Sequence, residues 1–218
     1  MTAHHLHSVI VSYNRLELTQ QAIRTYLDTV SLPFTMVVVD NGSDPDVVDW
    51  LLDASEQDGR WWVLPLGENR FPGFATNRGW ERMPPETTLL HRGDNDFSYL
   101  PGWQNEVVKR MKDGVGQVGL RTNKEEMNAR YNVGGNNVIH RRLWDEGLRY
   151  DERPWGAEYP PGWTEDSLLS PAVVALGWKW TRVRKPCIVS LSYENPDDEY
   201  YRRSWELRGI TPPQKEQA

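Results

Sequence analysis

The sequence predicts an α/β fold with a mostly parallel central sheet flanked by helices. In the first half of the chain, short runs of β-branched and apolar residues alternate with segments whose apolar residues recur at helical spacing. Strands and helices that alternate in this way form a parallel sheet covered by helices on its faces. A polar loop follows most of the predicted strands, so these loops should gather at one edge of the sheet, where open α/β sheets bind their ligands.

The first half contains four predicted strands and three predicted helices. The strands lie at residues 8–12, 35–39, 61–65 and 87–92, and the helices lie at residues 16–30, 45–54 and 75–83. Residues 37–39 are three valines, as expected of a strand that is covered on both faces. Asp44 is placed to cap the second helix, and Pro84 and Pro85 end the third. The segment 67–74, between the third strand and the third helix, is predicted to be a loop.

The second half is less regular. Strands are predicted at residues 117–120, 133–140, 178–183 and 187–191, and helices at residues 103–111, 168–176 and 200–207. Glu165 and Asp166 precede the apolar series of the helix at 168–176 and therefore open it. Pro171 is expected to delay the regular start of this helix to Ser170, because proline has no amide hydrogen and crowds the preceding turn. The polar tail at about 209–218 is not expected to fold.

Length and composition favour one globular domain over residues 1–218, since the chain has 218 residues, of which 38% are hydrophobic and 26% charged. The net charge of −6 argues against general binding to nucleic acid. Cys187 is the only cysteine, so no internal disulfide is possible. No apolar stretch approaches the length of a membrane span, and no signal-peptide core is found, so a cytoplasmic location is expected. His4, His5 and His7 are predicted to be a mobile lead-in rather than a metal cluster.

The segment Asp94-Asn95-Asp96 follows the fourth predicted strand. Two carboxylates one residue apart at the end of a parallel strand can face a common point outside the sheet. Such a point suits a hard divalent cation and the phosphates that it carries. A solvated acidic turn is the alternative, since short motifs often arise without a function.

Four stretches together resemble glycosyltransferase family 2, whose members have the Rossmann-like GT-A fold. They are residues 9–15, 37–43, 68–79 and 94–96, and the acidic pair Glu165-Asp166 follows where such enzymes keep their catalytic acids. The third stretch is similar to a segment of rhamnosyltransferase-like members. The match covers roughly residues 8–180 and implies a nucleotide-sugar half at about 8–96 and an acceptor half at about 97–193.

The resemblance implies a hexosyltransferase that uses a nucleoside-diphosphate sugar and binds Mn²⁺ or Mg²⁺. Asp96 would hold the metal, and Asp94 would contact the donor ribose or a water on the metal. Asp166 would be the general base, and Glu165 would shape the acceptor site. A single base without a second carboxylate as nucleophile implies direct displacement, and hence inversion at the anomeric carbon.

Further contacts follow from the same resemblance. Donor contacts are implied for Ser12, Tyr13, Asn14, Asp40, Asn77, Arg78, Asp94 and Asn95, and acceptor contacts for Gly135, Asn136 and Trp163. Asp40 would bind the N–H edge of uracil or guanine, although a carboxylate there could also cap a helix. Arg78 suits phosphate oxygens but also suits a solvated helix face. Gly-Asn pairs also make turns, and most tryptophans pack in cores.

The chain departs from the family in two places. Ala172 stands where the family often has an arginine. No histidine follows His140, although a late histidine commonly supplies a further metal ligand. Ser190, Ser192 or Tyr193 occupies that region instead, so the third metal ligand is left open.

Two other functions remain open. A nucleotidyltransferase would share the sheet and the metal carboxylate, but the Gly-rich basic loop of those enzymes is missing after the first strand, where residues 12–16 read Ser-Tyr-Asn-Arg-Leu. The second is a GT-A domain that binds a glycan or a partner without turnover. The sequence leaves the acceptor undetermined among a lipid-linked glycan, a protein, a small molecule and a modified nucleic acid. The oligomeric state is undetermined too.

Overall fold

A seven-stranded sheet forms the centre of the computed structural model, which describes residues 4–124, 132–156, 159–160, 162–192 and 198–209. Its strands are β1 Leu6–Ser12, β2 Phe34–Asp40, β3 Trp62–Pro65, β4 Leu89–Asp94, β6 Val115–Gly119, β7 Asn137–His140 and β8 Lys179–Arg182, and a second sheet pairs β5 Phe97–Tyr99 with β9 Ile188–Ser190. The strand order of the large sheet is β3-β2-β1-β4-β7-β6-β8. Only β7 runs antiparallel to its neighbours, so the predicted α/β class with a mostly parallel sheet is confirmed.

Helices cover both faces of the large sheet. They are α1 Leu16–Thr29, α2 Pro45–Asp58, α3 Phe71–Trp80, α4 Trp103–Val108, α5 Arg141–Asp145, α6 Glu165–Ala175 and α7 Glu199–Leu207. Successive residues of a strand point to opposite faces. Accordingly, Ile10 of β1 packs in one core with α1, α2 and α4, whereas Val9 packs in the other core with α3, α5 and α6. Among the described residues, no helix combines the length and the apolar composition that crossing a membrane requires.

Helix α3 begins at Phe71, earlier than the sequence predicted. Pro72 lies in its first turn, where a proline is favoured because the amide that it lacks has no partner within the helix. Asn69 accepts a hydrogen bond from the Phe71 amide at 3.0 Å. A Cβ atom at Gly79 would lie 2.5 Å from Val9 of β1, so this glycine lets α3 lie close to the sheet.

Helix α6 begins at Glu165, so the predicted delay of its start to Ser170 is wrong. The Ser167 amide donates to the Thr164 carbonyl at 3.1 Å, and the Ser167 hydroxyl accepts from the Thr164 amide at 3.3 Å. These bonds fix the first turn. Pro171 lies inside the helix, which persists because Leu169 on the same helix is buried in the core.

Three smaller predictions differ from the structure. Strand β7 begins at Asn137 rather than at residue 133, because the Asn137 side chain donates to the carbonyls of Gly134 and Gly135 and closes a turn there. Helix α4 ends at Val108 rather than at residue 111. The strands β5 and β9 are only three residues long, too short for a periodic signal, and β5 was not predicted.

The predicted mobile lead-in is also wrong for the histidine nearest the sheet. His7 lies inside β1 and is fully buried, with its ring nitrogens bonded to Thr35 at 2.8 Å and to the Gly79 carbonyl at 3.0 Å. Burial lowers the pKa of His7 to about 4. The ring therefore joins β1, β2 and α3 as a neutral group. Tyr193 and the predicted tail from residue 210 onward lie outside the described residues.

Candidate active site

Three loops meet at one edge of the large sheet. In the register of the parallel strands, Ser12 at the end of β1 lies beside Asp40 at the end of β2, and Val11 lies beside Asp94 at the end of β4. The predicted donor loop, the acidic loop after β2 and the Asp-Asn-Asp segment are therefore neighbours. This is the edge at which open α/β sheets bind their ligands.

Asp40 is buried, and only one of its two oxygens is used by the loop. Oδ2 accepts from the amides of Gly42 and Ser43, at 3.2 Å each. Oδ1 is buried and has no hydrogen-bond partner among the described residues. Asp44 occupies the cap position of α2 without a side-chain capping bond, so neither aspartate caps this helix through its side chain. Asp40 therefore shapes its own loop and retains one oxygen that could bind a ligand.

The first loop is tied to the second by Asn14. Its Oδ1 accepts from the Asp44 amide at 2.7 Å, and its own amide donates to the Ser43 hydroxyl at 2.8 Å. The Ser12 side chain is fully buried, and its hydroxyl lies 3.3 Å from that of Thr19 in α1. Both side chains thus support the loops in this structure. Donor contacts from both residues stay a prediction.

The Asp-Asn-Asp segment places its three side chains in different surroundings. Asn95 turns inward, where its Nδ2 donates to Thr19 at 2.8 Å, so it anchors the loop to α1. The Asp94 amide donates to the side-chain oxygen of Asn136 at 3.3 Å, and Asp94 Oδ2 accepts from the amide nitrogen of that side chain at 3.2 Å. Asp96 accepts from the Ser192 hydroxyl at 2.8 Å. Ser192 comes from the region in which the sequence lacks the late histidine.

Arginines pair with both carboxylates of this segment. The guanidinium of Arg92 on β4 lies 3.2 Å from Asp94 Oδ1, and that of Arg15 lies 3.4 Å from Asp96 Oδ2. Sequence reasoning assigned neither arginine a role of its own. Arg15 also contacts Asp198 at 3.0 Å, just before α7. The C-terminal helix is therefore attached to the donor loop at this point.

Tyr200 of α7 lies near the carboxylates of Asp94 and Asp96, which are called the acidic cluster below. Its ring faces the Arg15 guanidinium at 5.0 Å and the Tyr13 ring at 6.3 Å. Burial raises the pKa of Tyr200, and the charges of Asp94 and Asp96 raise it further. A residue of the last helix thus packs on the first loop, close to the Asp-Asn-Asp segment.

Glu165 and Asp166 differ sharply in exposure. Glu165 is buried, with Oε1 at 2.9 Å from Arg92 Nη2 and Oε2 accepting from the Trp155 indole at 2.6 Å. Asp166 is half-buried, and its Oδ1 accepts from the hydroxyls of Thr164 and Ser167. Its Oδ2 has no partner among the described residues. Within the pair, only Asp166 has a carboxylate oxygen that no described residue contacts, and a direct contact of Glu165 with an acceptor stays a prediction.

The carboxylates of the site influence each other. Burial raises the pKa of Asp94, Arg92 lowers it, and the negative charges of Asp96 and Asp166 raise it again. Asp166 therefore lies close enough to the Asp-Asn-Asp segment to act on it electrostatically. Burial likewise raises the pKa of Glu165, and Arg92 opposes this shift.

The side chains of Asn77 and Arg78 both bind protein groups in this structure. Asn77 is buried and joins α3 to Tyr150, with its Nδ2 at 2.9 Å from the Tyr150 carbonyl and its Oδ1 accepting from the Tyr150 amide at 3.0 Å. Arg78 pairs with Glu81 at 3.0 Å and with Glu152 at 3.1 Å. The local pattern could not show the contacts with Tyr150 and Glu152, since those two residues are distant in sequence. Phosphate contacts by both side chains stay predictions.

Two of the predicted acceptor residues, Gly135 and Asn136, lie beside Asp94. A Cβ atom at Gly135 would lie 2.8 Å from Asp94 Oδ2, so this glycine leaves room beside the carboxylate. Asn136 bonds to Asp94 directly, as described above. The Trp163 side chain is 42% exposed and precedes the start of α6, whereas Trp103 is buried in the core and is unavailable to a ligand. Contacts of Gly135, Asn136 and Trp163 with an acceptor stay predictions.

The charge of the site suits a divalent cation. The described residues contain no group of three His, Cys, Asp or Glu side chains that could hold a metal ion, so Asp94 and Asp96 would supply two ligands. Water and diphosphate oxygens can complete the shell of Mg²⁺ or Mn²⁺. Five carboxylates surround two arginines here: Asp94, Asp96, Glu165, Asp166 and Asp198 around Arg15 and Arg92. This excess of negative charge favours binding of a cation before an anionic diphosphate.

The seven-stranded, mostly parallel sheet flanked by helices defines an α/β protein of the GT-A fold. The chain belongs to glycosyl transferase family 2, whose model matches residues 8–162. The resemblance drawn from the sequence is thereby confirmed. No curated protein matches the chain.

Solved structures share this fold at low sequence identity. The mannosyltransferase PcManGT from Pyrobaculum calidifontis, in complex with GDP-Man and Mn²⁺, superposes with a TM-score of 0.74 at 15% identity, over 94% of this chain and 60% of that chain. S. aureus TarS 1-349 in complex with UDP-GlcNAc has a TM-score of 0.67 at 14% identity, over 97% of this chain and 68% of that one. The chain thus spans 60% of the length of the mannosyltransferase. At these identities the likeness shows the fold alone.

Proposed function

We propose that the protein is an inverting glycosyltransferase that moves a sugar from a nucleoside diphosphate to an acceptor hydroxyl. The observation that carries this proposal is the convergence of functional carboxylates at one sheet edge. Asp40 retains a buried oxygen without a partner, Asp94 and Asp96 form an acidic pair, and Asp166 presents an oxygen nearby. The solved GDP-Man and UDP-GlcNAc complexes of proteins with this fold support a nucleotide-sugar donor.

The donor would lie across the ends of β1, β2 and β4. The base would reach Asp40, whose Oδ1 could accept from the N–H edge of uracil or guanine. The diphosphate would lie near Asp94 and Asp96. A divalent cation held by these two carboxylates would stabilise the negative charge on the departing diphosphate.

Asp166 would act as the general base. Two hydroxyls hold its Oδ1, which leaves Oδ2 to take the proton of the acceptor hydroxyl. As the acceptor oxygen bonds to the anomeric carbon, the bond from that carbon to the diphosphate breaks, and its electron pair leaves with the diphosphate. Attack from the side opposite the leaving group inverts the anomeric configuration. The exposed ring of Trp163 could stack on the acceptor.

Donor turnover tests the proposal directly. Purified protein with Mn²⁺ is incubated with UDP-glucose, UDP-GlcNAc, GDP-mannose and dTDP-rhamnose in turn, and release of the nucleoside diphosphate is measured. We expect release from at least one donor and its loss in excess EDTA. Mass spectrometry with candidate acceptors then identifies the product, and its NMR coupling constants give the anomeric configuration.

A GT-A domain that binds without turnover is the second candidate. The observation that favours it is the pairing of Asp94 with Arg92 and of Asp96 with Arg15, which occupies both carboxylates of the acidic segment. Calorimetric binding of UDP or GDP combined with no release from any of the four donors would support this candidate over the enzyme.

Asp40→Ala is expected to weaken donor binding about tenfold or more, because the nucleotide base loses one charge-assisted hydrogen bond. Calorimetry with UDP and with GDP, each with Mn²⁺, measures the dissociation constants. Asp44→Ala is the matched control, since Asp44 is exposed in the same loop and its side chain makes no capping bond. Equal affinities for the wild type and Asp40→Ala would limit Asp40 to its bonds with Gly42 and Ser43.

A further inference from the structure

A buried arginine lies between the two halves of the proposed site. Arg92 and Asp94 point to the same face of β4, because they are two residues apart on a strand. The Arg92 side chain is 3% exposed, and its Nη2 lies 3.2 Å from Asp94 Oδ1 and 2.9 Å from Glu165 Oε1. Its guanidinium also faces the ring of Tyr150 at 4.8 Å. Nη2 of Arg92 thus contacts two carboxylates. Asp94 belongs to the predicted donor side of the site, and Glu165 belongs to the predicted acceptor side.

The Arg92 side chain is held in its charged form at this place. Although burial opposes its charge, the carboxylates of Asp94 and Glu165 raise the pKa of Arg92 well above its usual value. Its Nε and Nη1 are buried without a partner among the described residues, which is unfavourable for stability. Well-packed apolar residues often stabilise a core as well as a buried ion pair does. A role in fixing geometry explains this arginine better than a contribution to stability.

The contacts of Arg92 reach residues on both sides of the proposed site. Asp94 belongs to the acidic segment that would meet the diphosphate. Glu165 is the first residue of α6, so holding it fixes the helix start from which Asp166 projects. The second oxygen of Glu165 accepts from Trp155 at 2.6 Å, which extends the connection to the acceptor side. Arg92 therefore joins the donor carboxylate to the helix that carries the base.

We propose that Arg92 is a positioning residue for sugar transfer, which holds Asp94 and the start of α6 in one arrangement so that donor and base meet at the productive distance. This role rests on the proposed function. Arg92 acts through Asp94 and Glu165 and does not itself take part in the bond changes. Loss of the guanidinium group should therefore lower the rate of transfer more than the affinity for the nucleotide.

Arg92→Lys is expected to lower kcat for donor turnover about tenfold or more and to leave the donor KM within about threefold. Lysine retains the positive charge, so the carboxylates stay compensated, but its single ammonium does not reproduce the planar geometry of the guanidinium. Calorimetry with UDP and with GDP, each with Mn²⁺, should give dissociation constants close to those of the wild type. A misplacement of about 1 Å is enough for a rate loss of this size.

Arg110→Lys is the matched control. Arg110 lies just after α4 and pairs with Glu106 of that helix at 2.9 Å, and none of its contacts among the described residues is with the site. All kinetics are measured at a temperature at which circular dichroism shows every variant folded. An Arg92→Lys protein with kcat within twofold of the wild type would overturn the proposal. So would a loss of rate that matches a loss of folded protein.

A double-mutant cycle with Glu165→Gln separates positioning from independent effects. If Arg92 acts through Glu165, the double variant should be about as slow as the slower single variant, whereas independent roles would multiply the two losses and refute the proposal. Wild-type protein that turns over none of the four donors would refute the proposed function, and this role with it. Wild-type turnover with unaffected Arg92→Lys would refute the role of Arg92 alone.

Discussion

Asp166→Asn is expected to lower the rate of sugar transfer by on the order of a hundredfold or more, which is the usual effect of removing a general base. Asparagine has the size of aspartate and can still accept from Thr164 and Ser167, which contact Oδ1 in the wild type. It cannot take the proton of the acceptor hydroxyl. Donor binding should stay near normal, because Asp166 does not belong to the acidic segment that would meet the diphosphate under the proposed function.

Steady-state kinetics with the donor identified by nucleotide release measures this effect, and calorimetry with UDP or GDP measures binding. Asp145→Asn is the matched control, since Asp145 is a surface carboxylate on α5 that pairs with Arg141 at 3.1 Å. An Asp166→Asn protein that transfers sugar at close to the wild-type rate would exclude this residue as the base. A product that retains the donor's anomeric configuration would exclude direct displacement with a single base.

The sequence predicted the carboxyl edge of the sheet because its signals are local. Runs such as the valines at 37–39 mark buried strands, and the polar residues after them then share an edge by topology alone. Asp40 and Asp94 could therefore be placed near each other from the sequence. Their register beside β1 agrees with that placement.

The partners of the site residues could not be predicted in the same way. Arg92 lies within a buried strand, and its proposed role depends on its contact with Glu165, which is far away in sequence. Asn77 and Asn95 belong to recognisable motifs, but whether a side chain faces a ligand or the protein is decided by packing. In the structure Asn77 bonds to Tyr150 and Asn95 bonds to Thr19. A motif thus located these residues without showing which way they point.

The last helix also shows that a local element could be predicted although its long-range contacts could not. A helix was predicted at residues 200–207, and α7 occupies Glu199–Leu207. Its position near the acidic cluster was not predicted, because no local pattern links Asp198 to Arg15 or Tyr200 to Tyr13. Hydrophobic periodicity predicts local secondary structure, but it does not predict contacts between residues that are far apart in the sequence.

The charges around Asp96 determine what its loss should do. Its side chain is 6% exposed and is bonded to Ser192 and Arg15, so its carboxylate is fixed in place. Arg15 is shared with Asp198, and one arginine cannot neutralise both acids. An incoming diphosphate would add further negative charge, and under the proposed function Asp96 would help to hold the cation that compensates it.

Asp96→Asn is therefore expected to weaken Mn²⁺-dependent nucleotide binding strongly, by on the order of a hundredfold, since a charged ligand is replaced by a neutral amide at the point where the phosphates gather. Calorimetry with UDP and with GDP, in the presence of Mn²⁺ and in excess EDTA, measures the effect. Asp58→Asn is the matched control, because Asp58 pairs with Arg60 at 2.7 Å at the end of α2, away from the site. Full turnover in excess chelator, or equal Mn²⁺-dependent affinities for the wild type and Asp96→Asn, would show that this carboxylate holds no metal.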